Sequence, residues 1–197
     1  MSIIGQPAPA FAGQAAFKGE IKNVSLEDYK GKWLVLVFYP LDFTFVCPTE
    51  LVAFSDAAHK FKEAGCELLG VSVDSVHTHL AWMRTPRAEA GVGELEYPLF
   101  ADLTKKMCAD YDVLAGAVAF RGVFIIDPDG NVQSATVNNL HVGRNVDEVL
   151  RTVKAYQFVK KTGNVCPANW KEGDEGMRAT LDGVKSVIGK KRRRRSA

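Results

Sequence analysis

The sequence predicts an α/β sandwich, in which a central mixed sheet carries helices on both faces. Three observations lead to this fold class. Residues 33–39 and 121–127 are continuous apolar runs rich in β-branched side chains, typical of strands buried on both sides. Segments with apolar residues at helical spacing alternate with such runs along the chain. A Pro-Asp-Gly-Asn turn at 128–131 joins the second run to residues 132–137 as a hairpin, so the sheet contains antiparallel strands.

Turn residues and helix caps set the limits of the remaining elements. Pro48 suits the first position of a helix, and Glu50 favours the positive end of its dipole. In chain order we expect a helix at 48–65, a strand at 66–73, a helix capped by Asp74 or Ser75 that ends before Pro86, a short strand at 97–100, a helix at 104–111 and, after the hairpin, a long amphipathic helix from residue 146 to about residue 163.

No internal repeat and no low-complexity linker divides the 197 residues. We therefore expect one domain at 1–160, followed by a C-terminal arm at 161–197. The formal net charge of +2 depends on residues 190–195, which supply six of the 25 basic residues. Without this basic tail, 19 basic residues stand against 23 acidic ones, a net charge of −4. Such a body gives no reason to expect nucleic acid or an anionic membrane as partner.

The apolar runs are well short of the roughly 18 residues that are needed to span a bilayer. The first residues lack the basic and apolar regions of a secretory signal. We therefore expect a cytoplasmic location. In that compartment thiols stay reduced, and they serve more often in catalysis or metal binding than in structural disulfides.

The cysteines are separated by 19 residues or more, and they are Cys47, Cys66, Cys108 and Cys166. This spacing argues against a Cys-x-x-Cys dithiol and against the common zinc knuckles. Cys66 opens an apolar strand and Cys108 lies within a helix, so both are interpreted as structural thiols. His77 and His79 point to different faces of a helix and make a poor metal chelate.

Cys47 differs from the other cysteines because it follows a buried strand and opens a helix. Unpaired N–H groups and the positive end of the helix dipole favour a thiolate there. Thr44 can offer its hydroxyl to an oxygen substrate or to the sulfur, and Pro40 is placed to shield the pocket from water. A nearby guanidinium would complete the activation. The alternative is a buried structural cysteine, but the polar, capped surroundings favour a nucleophile.

The pattern P-x-x-x-T-x-x-C, formed by Pro40, Thr44 and Cys47, resembles the active-site signature of the peroxiredoxins. The segment G-N-V-C-P-A-N-W at 163–170 is similar to the resolving-cysteine segment of the typical 2-Cys subgroup, which includes the alkyl hydroperoxide reductase C subunits. Further motifs extend the resemblance over nearly the whole chain, at 5–11, 72–82, 121–130 and 142–148.

The resemblance implies a thioredoxin-like α/β sandwich with peroxiredoxin additions, and a thiol-specific peroxidase. Such an enzyme reduces hydrogen peroxide and organic hydroperoxides to water and alcohols. Cys47 would be the peroxidatic residue that becomes a sulfenic acid, with Arg121 as the catalytic arginine. Thr44 and Pro40 would complete the pocket. Glu50 and Arg144 match a supporting ion-pair network; the alternative for that pair is a plain surface salt bridge.

The resemblance also implies the second half of the cycle. Cys166 would attack the sulfenic acid of Cys47 in the partner subunit and form an intersubunit disulfide. A homodimer follows, and five dimers would assemble into a decamer. Thioredoxin or a flavoprotein disulfide reductase would recycle the disulfide, without any haem, flavin or metal cofactor.

Two alternatives remain open from the sequence. One is a holdase chaperone or peroxide-signal relay, a role that large peroxiredoxin assemblies can adopt. The other treats the basic tail as a tether for nucleic acid or a membrane, although a terminal run of like charges is usually a solvated arm.

Sensitive relatives carry a Gly-Gly-Leu-Gly loop and a terminal Tyr-Phe pair, which slow resolution and permit overoxidation. Here residues 90–93 read A-G-V-G, and the helix expected at 184–189 runs into the basic tail without Tyr-Phe. We therefore predict that Cys47 resists overoxidation, so that mass spectrometry finds little sulfinic acid on it after turnover with sub-millimolar peroxide. Mostly sulfinic Cys47 would contradict this prediction.

Overall fold

The computed structural model describes residues 2–193 and the side chains up to residue 189. The side chains of the basic tail therefore lie outside the described residues. Within that range the chain forms the following strands and helices: β1 (Ala12–Phe17), β2 (Glu20–Ser25), β3 (Trp33–Phe38), α1 (Val46–Asp56), α2 (Ala58–Glu63), β4 (Cys66–Ser72), α3 (Val76–Arg84), β5 (Leu99–Ala101), α4 (Lys106–Asp110), β6 (Leu114–Ala115), β7 (Val118–Ala119), β8 (Arg121–Ile126), β9 (Val132–Asn138), α5 (Val146–Thr162) and α6 (Leu181–Arg193).

Seven strands form one mixed sheet in the order β2-β1-β5-β4-β3-β8-β9. Strands β3, β4 and β5 run parallel, whereas β8 is antiparallel to both β3 and β9. Strands β1 and β2 form an antiparallel hairpin that joins the sheet at β5. The predicted sandwich with a central mixed sheet and the predicted β8–β9 hairpin are confirmed.

Strand β3 lies at the centre of the sheet, and every one of its side chains is buried. Side chains alternate between the two faces of a strand, so Leu34, Leu36 and Phe38 share one face. There they join the hydrophobic core that also contains Met107 and Cys108 of α4. Burying each such side chain stabilises the fold by roughly 1.5–3 kcal/mol. This burial holds β3 in place, and with it the loop that follows at residues 39–45.

Three sequence predictions are corrected. The helix expected at 48–65 is two helices, α1 and α2, which are separated at Ala57. Helix α1 begins at Val46, so Pro48 is the third residue of α1 rather than its first. Helix α4 is shorter than the expected 104–111, because Lys105 before it takes a left-handed conformation with φ of 61°. The β1–β2 hairpin was not predicted at all.

By its internal contacts the chain divides into two units, one up to Val146 and one from Asp147. The first unit contains the seven-stranded sheet, and the second contains α5 and α6. The predicted long amphipathic helix is confirmed as α5. The expected domain boundary after residue 160 stays a prediction. None of the helices formed by residues 2–193 is long and apolar enough to cross a membrane.

Candidate active site

Cys47 is the second residue of α1 and is fully buried. Its Sγ accepts a hydrogen bond of 3.4 Å from Nη1 of Arg121, the first residue of β8. The sheet register explains why Arg121 lies close to Cys47. Val37 pairs with Val123 across the antiparallel strands, so Arg121 lies level with the residue that follows β3. The loop that leads from β3 to Cys47 begins at this same level.

Glu50 binds both arginines of the predicted site. Its Oε2 accepts from Arg121 Nη1 at 2.6 Å, and its Oε1 accepts from Arg144 Nε at 2.7 Å. The backbone N of Arg144 also donates to Oε1, and its Nη2 donates to Oε2. The three side chains are only 2–4% exposed, so these are buried ion pairs rather than a surface salt bridge. Glu50 was expected both near the positive end of the helix dipole and in an ion-pair network; it lies beyond the first turn of α1 and bridges the two guanidinium groups.

Backbone carbonyls hold further donors of the two guanidinium groups. Arg121 Nε donates to the carbonyl of Leu140 at 2.8 Å. Arg144 Nη1 donates to the carbonyls of Phe38 at 2.6 Å and Gly122 at 2.7 Å. Sequence reasoning missed these contacts, because a backbone acceptor has no side-chain signature. Together they fix both planar groups in orientation.

The loop before α1 carries the other two predicted site residues. Pro40 is buried, and Thr44 is partly buried. The Thr44 hydroxyl donates to the carbonyl of Leu41 at 2.9 Å, so its oxygen remains able to accept a hydrogen bond from a bound molecule. The sulfur of Cys47, which was the other partner considered for this hydroxyl, does not receive it.

The charges in this cluster do not balance without the sulfur. Two guanidinium groups and one carboxylate leave a net charge of +1 in a buried place, and a Cys47 thiolate would make the sum zero. The N–H groups of the first turn of α1 add positive potential, because they have no acceptor within the helix. The site can therefore hold a thiolate and stabilise an anion that forms on an oxygen beside it.

The other three cysteines lie elsewhere. Cys66 and Cys108 are buried, and burial raises the pKa of each thiol well above its ordinary value. Cys166 belongs to the second unit, where its Sγ lies 3.6 Å from the carbonyl oxygen of Ala155. Burial raises the pKa of the Cys166 thiol as well, and the Arg151 guanidinium opposes that rise. All four cysteines are free thiols in the structure.

His79 has a role that sequence reasoning missed. Its ring is fully buried, and Nδ1 lies 2.7 Å from Oδ2 of Asp42. His77, on the same helix, is exposed. A histidine in the 72–82 motif and an aspartate in the Cys47 loop were both visible, but no spacing rule pairs residues 37 positions apart. In the part of the chain that is described, no group of three His, Cys, Asp or Glu side chains is arranged to hold a metal ion.

Comparison with known proteins assigns the family. The model of the AhpC/TSA family matches residues 4–135, and that of the C-terminal domain of 1-Cys peroxiredoxin matches residues 155–190. The chain belongs to the peroxiredoxins. Members of this family are thiol peroxidases, so the chain is an oxidoreductase of that class.

Individual peroxiredoxins match along most of the chain. Rat peroxiredoxin-2 is 53% identical over 189 residues, which is 95% of this chain and 96% of the rat protein. A Drosophila melanogaster mitochondrial thioredoxin-dependent peroxide reductase is 57% identical over 169 residues, 85% of this chain and 72% of that protein. The crystal structure of reduced Plasmodium vivax 2-Cys peroxiredoxin is 44% identical and superposes with a TM-score of 0.93, covering 96% of this chain and all of that one. The thioredoxin-like fold of this peroxiredoxin is thereby confirmed.

The Glu50 bridge generates a stability prediction. Replacing Glu50→Gln leaves two buried guanidinium groups without a counter-charge, and breaking a buried ion pair in this way costs about 3–5 kcal/mol. We expect a loss of that size in the free energy of unfolding, measured by urea denaturation. Asp56→Asn on the same helix is the matched control. It removes the exposed Asp56–Arg87 pair, which is worth about 0–1 kcal/mol. Equal losses in the two variants would contradict the prediction.

Proposed function

We propose that this peroxiredoxin reduces hydrogen peroxide and organic hydroperoxides through Cys47, and that Cys166 of the partner subunit resolves the oxidised sulfur. The observation that carries the proposal is the contact between the buried Cys47 Sγ and Arg121 Nη1. The guanidinium that touches the sulfur is itself held by Glu50 and by the carbonyl of Leu140. A sulfur nucleophile and a fixed cation are thus provided in one place.

In the first step the Cys47 thiolate attacks one peroxide oxygen. An S–O bond forms, the O–O bond breaks, and the second oxygen takes a proton and leaves as water or an alcohol. The sulfur is oxidised to a sulfenic acid while the peroxide is reduced by two electrons. Arg121 stabilises the negative charge that develops on the leaving oxygen. The Thr44 oxygen accepts a hydrogen bond from the peroxide, and buried Pro40 helps to exclude water.

In the second step the Cys166 thiol attacks the sulfenic sulfur, an S–S bond forms and water leaves. A disulfide needs Cα atoms within about 7 Å of each other. Cys47 is buried in the first turn of α1, and Cys166 belongs to the other unit. Because Cys47 is fully buried, we expect the first turn of α1 to open locally, together with the arm that carries the partner's Cys166, before the two sulfurs meet. The similarity of residues 163–170 to the resolving segment of 2-Cys relatives supports pairing across a homodimer, with five dimers in a decamer.

Thioredoxin is the proposed reductant, ahead of a flavoprotein disulfide reductase. The name of the 57%-identical Drosophila relative, a thioredoxin-dependent peroxide reductase, supports this choice. A reducing compartment such as the cytoplasm suits the cycle, because free thiols stay reduced there. Nucleic acid, a membrane, a metal and an organic cofactor have no part in the proposal.

Cysteine variants separate the two steps. Cys47→Ser is expected to abolish peroxide consumption, because serine is a far weaker nucleophile at neutral pH. Cys166→Ser is expected to consume one equivalent of peroxide and then stop. The matched control is Cys108→Ala, which removes a thiol that the cycle does not use and should keep turning over. A steady-state assay of peroxide loss measures all three variants, and normal turnover by Cys47→Ser would refute the mechanism.

The reductant has its own test. With thioredoxin, thioredoxin reductase and NADPH, we expect continuous NADPH oxidation after addition of hydrogen peroxide, and none with Cys166→Ser. A flavoprotein disulfide reductase that acts directly on the enzyme is expected to support little oxidation in place of the thioredoxin system. Turnover with the flavoprotein alone would reverse the choice of reductant.

A further inference from the structure

A buried hydrogen-bonded pair ties the Cys47 loop to helix α3. Asp42 lies on the loop between Pro40 and Thr44, and His79 lies in the middle of α3. The His79 Nδ1 to Asp42 Oδ2 distance is 2.7 Å, and both side chains are fully buried. The peroxidase chemistry described above uses neither residue.

The partners of His79 fix how many protons the pair holds. His79 Nε2 lies 3.3 Å from the carbonyl oxygen of Phe100, which can only accept, so Nε2 carries a proton. The short contact between Nδ1 and the carboxylate needs a second proton. Asp42 Oδ1 already accepts from the Tyr39 hydroxyl at 2.7 Å. The pair thus holds one proton on Nε2 and shares a second between Nδ1 and Oδ2. The Tyr39 hydroxyl also lies 3.4 Å from Nδ1. Burial raises the pKa of the Asp42 carboxyl, which also favours a proton within the pair.

Several elements face this pair. Tyr39 follows β3, Phe100 belongs to β5, and Asp74 follows β4. The backbone N of Asp42 donates to Asp74 Oδ2 at 2.9 Å, and that oxygen also accepts from the Ser72 hydroxyl. Asp42 is therefore held through its side chain and its backbone at once.

The loop needs such an anchor because its backbone is strained. Phe43, directly after Asp42, has φ of 51°, in the left-handed region that costs a non-glycine residue roughly 1–2 kcal/mol. Its ring packs on Trp82 of α3, with ring centroids 5.7 Å apart. Trp82 lies one turn after His79, so two side chains on the same face of α3 hold adjacent loop residues. The next residue is Thr44. Its hydroxyl donates a hydrogen bond to the carbonyl of Leu41, the residue before Asp42, and this bond fixes the direction of the hydroxyl.

We propose that His79 is a positioning residue of the peroxidase site: as the buried hydrogen-bond partner of Asp42, it holds the loop in the conformation that directs the Thr44 oxygen to the peroxide. The proposal rests on the proposed roles of Cys47 and Thr44. It separates two requirements of catalysis. Arg121, held by Glu50, provides a positive charge against the sulfur, whereas His79 and Asp42 place the group that orients the peroxide.

The first measurement compares two electrophiles on the reduced full-length protein. His79→Ala is expected to slow Cys47 oxidation by hydrogen peroxide at least about tenfold, since a misplacement of about 1 Å can cost 100-fold. Alkylation of Cys47 by iodoacetamide needs the thiolate but not Thr44, so its rate should not change. His77→Ala, at an exposed position on the same helix, is the matched control and should change neither rate. Rapid quenching and mass spectrometry give both rates.

The second measurement is a double-mutant cycle with Thr44→Val. If His79 acts through Thr44, then His79→Ala slows oxidation much less in the Thr44→Val background than in the wild type. Additive effects would overturn the proposal, as would an unchanged peroxide rate or an equal loss of alkylation in His79→Ala.

His79→Gln keeps an N–H donor towards Asp42 and serves if the alanine variant does not fold. It should restore part of the peroxide rate at a normal alkylation rate; an equal loss of both rates would overturn the positioning role. The Cys47→Ser assay tests the proposed function independently, so failure of the one is distinguishable from failure of the other.

Discussion

The carboxylate of Glu50, buried between two arginines, is the interaction on which the rest of the site depends. A guanidinium can lie against the buried sulfur of Cys47 only if its own desolvation is offset, and Glu50 provides that offset. Buried ion pairs are weak sources of net stability, because desolvation consumes much of the Coulomb attraction. Here two guanidinium cations, Arg121 and Arg144, share the single carboxylate of Glu50. This excess of one positive charge favours a further negative charge beside it, at the sulfur.

The fold brings these groups together through strand register rather than through local sequence. Arg121 pairs with Asn138 across β8 and β9, so the Leu140 carbonyl, two residues further on, lies within reach of its guanidinium. Glycines permit the close packing. A Cβ on Gly122 would lie 2.9 Å from the Val113 side chain, and one on Gly143 would lie 3.4 Å from Glu50. At Gly122 the packing demands a residue without a side chain, and at Gly143 it leaves little room for one.

This dependence on register explains which features the sequence could predict. Strands β3 and β8 are continuous apolar runs whose burial overrides other signals, so both were predicted within a residue. The β1–β2 hairpin mixes small and polar residues, and it joins the sheet through pairing of β1 with β5, which no local pattern reports. Cys47 and Thr44 were found from their own loop, whereas Arg121 and Arg144 were found only by family resemblance. His79 was assessed with His77, its neighbour in sequence, although Asp42 is its partner in the structure.

The proposed cycle makes opposite demands on the first turn of α1. Oxidation requires Cys47 to be buried against Arg121, and resolution requires the same turn to open. The residue at the N-cap position is Phe45, which is 93% exposed and makes no side-chain cap hydrogen bond. Helices that lack a Ser, Thr, Asp or Asn cap forgo about 1 kcal/mol at that end. The missing cap weakens only the turn that contains Cys47, because Glu50 anchors the helix one turn later. Opening can then free the sulfur while the Glu50–Arg144 pair stays closed, so that the turn can refold onto an intact site after reduction.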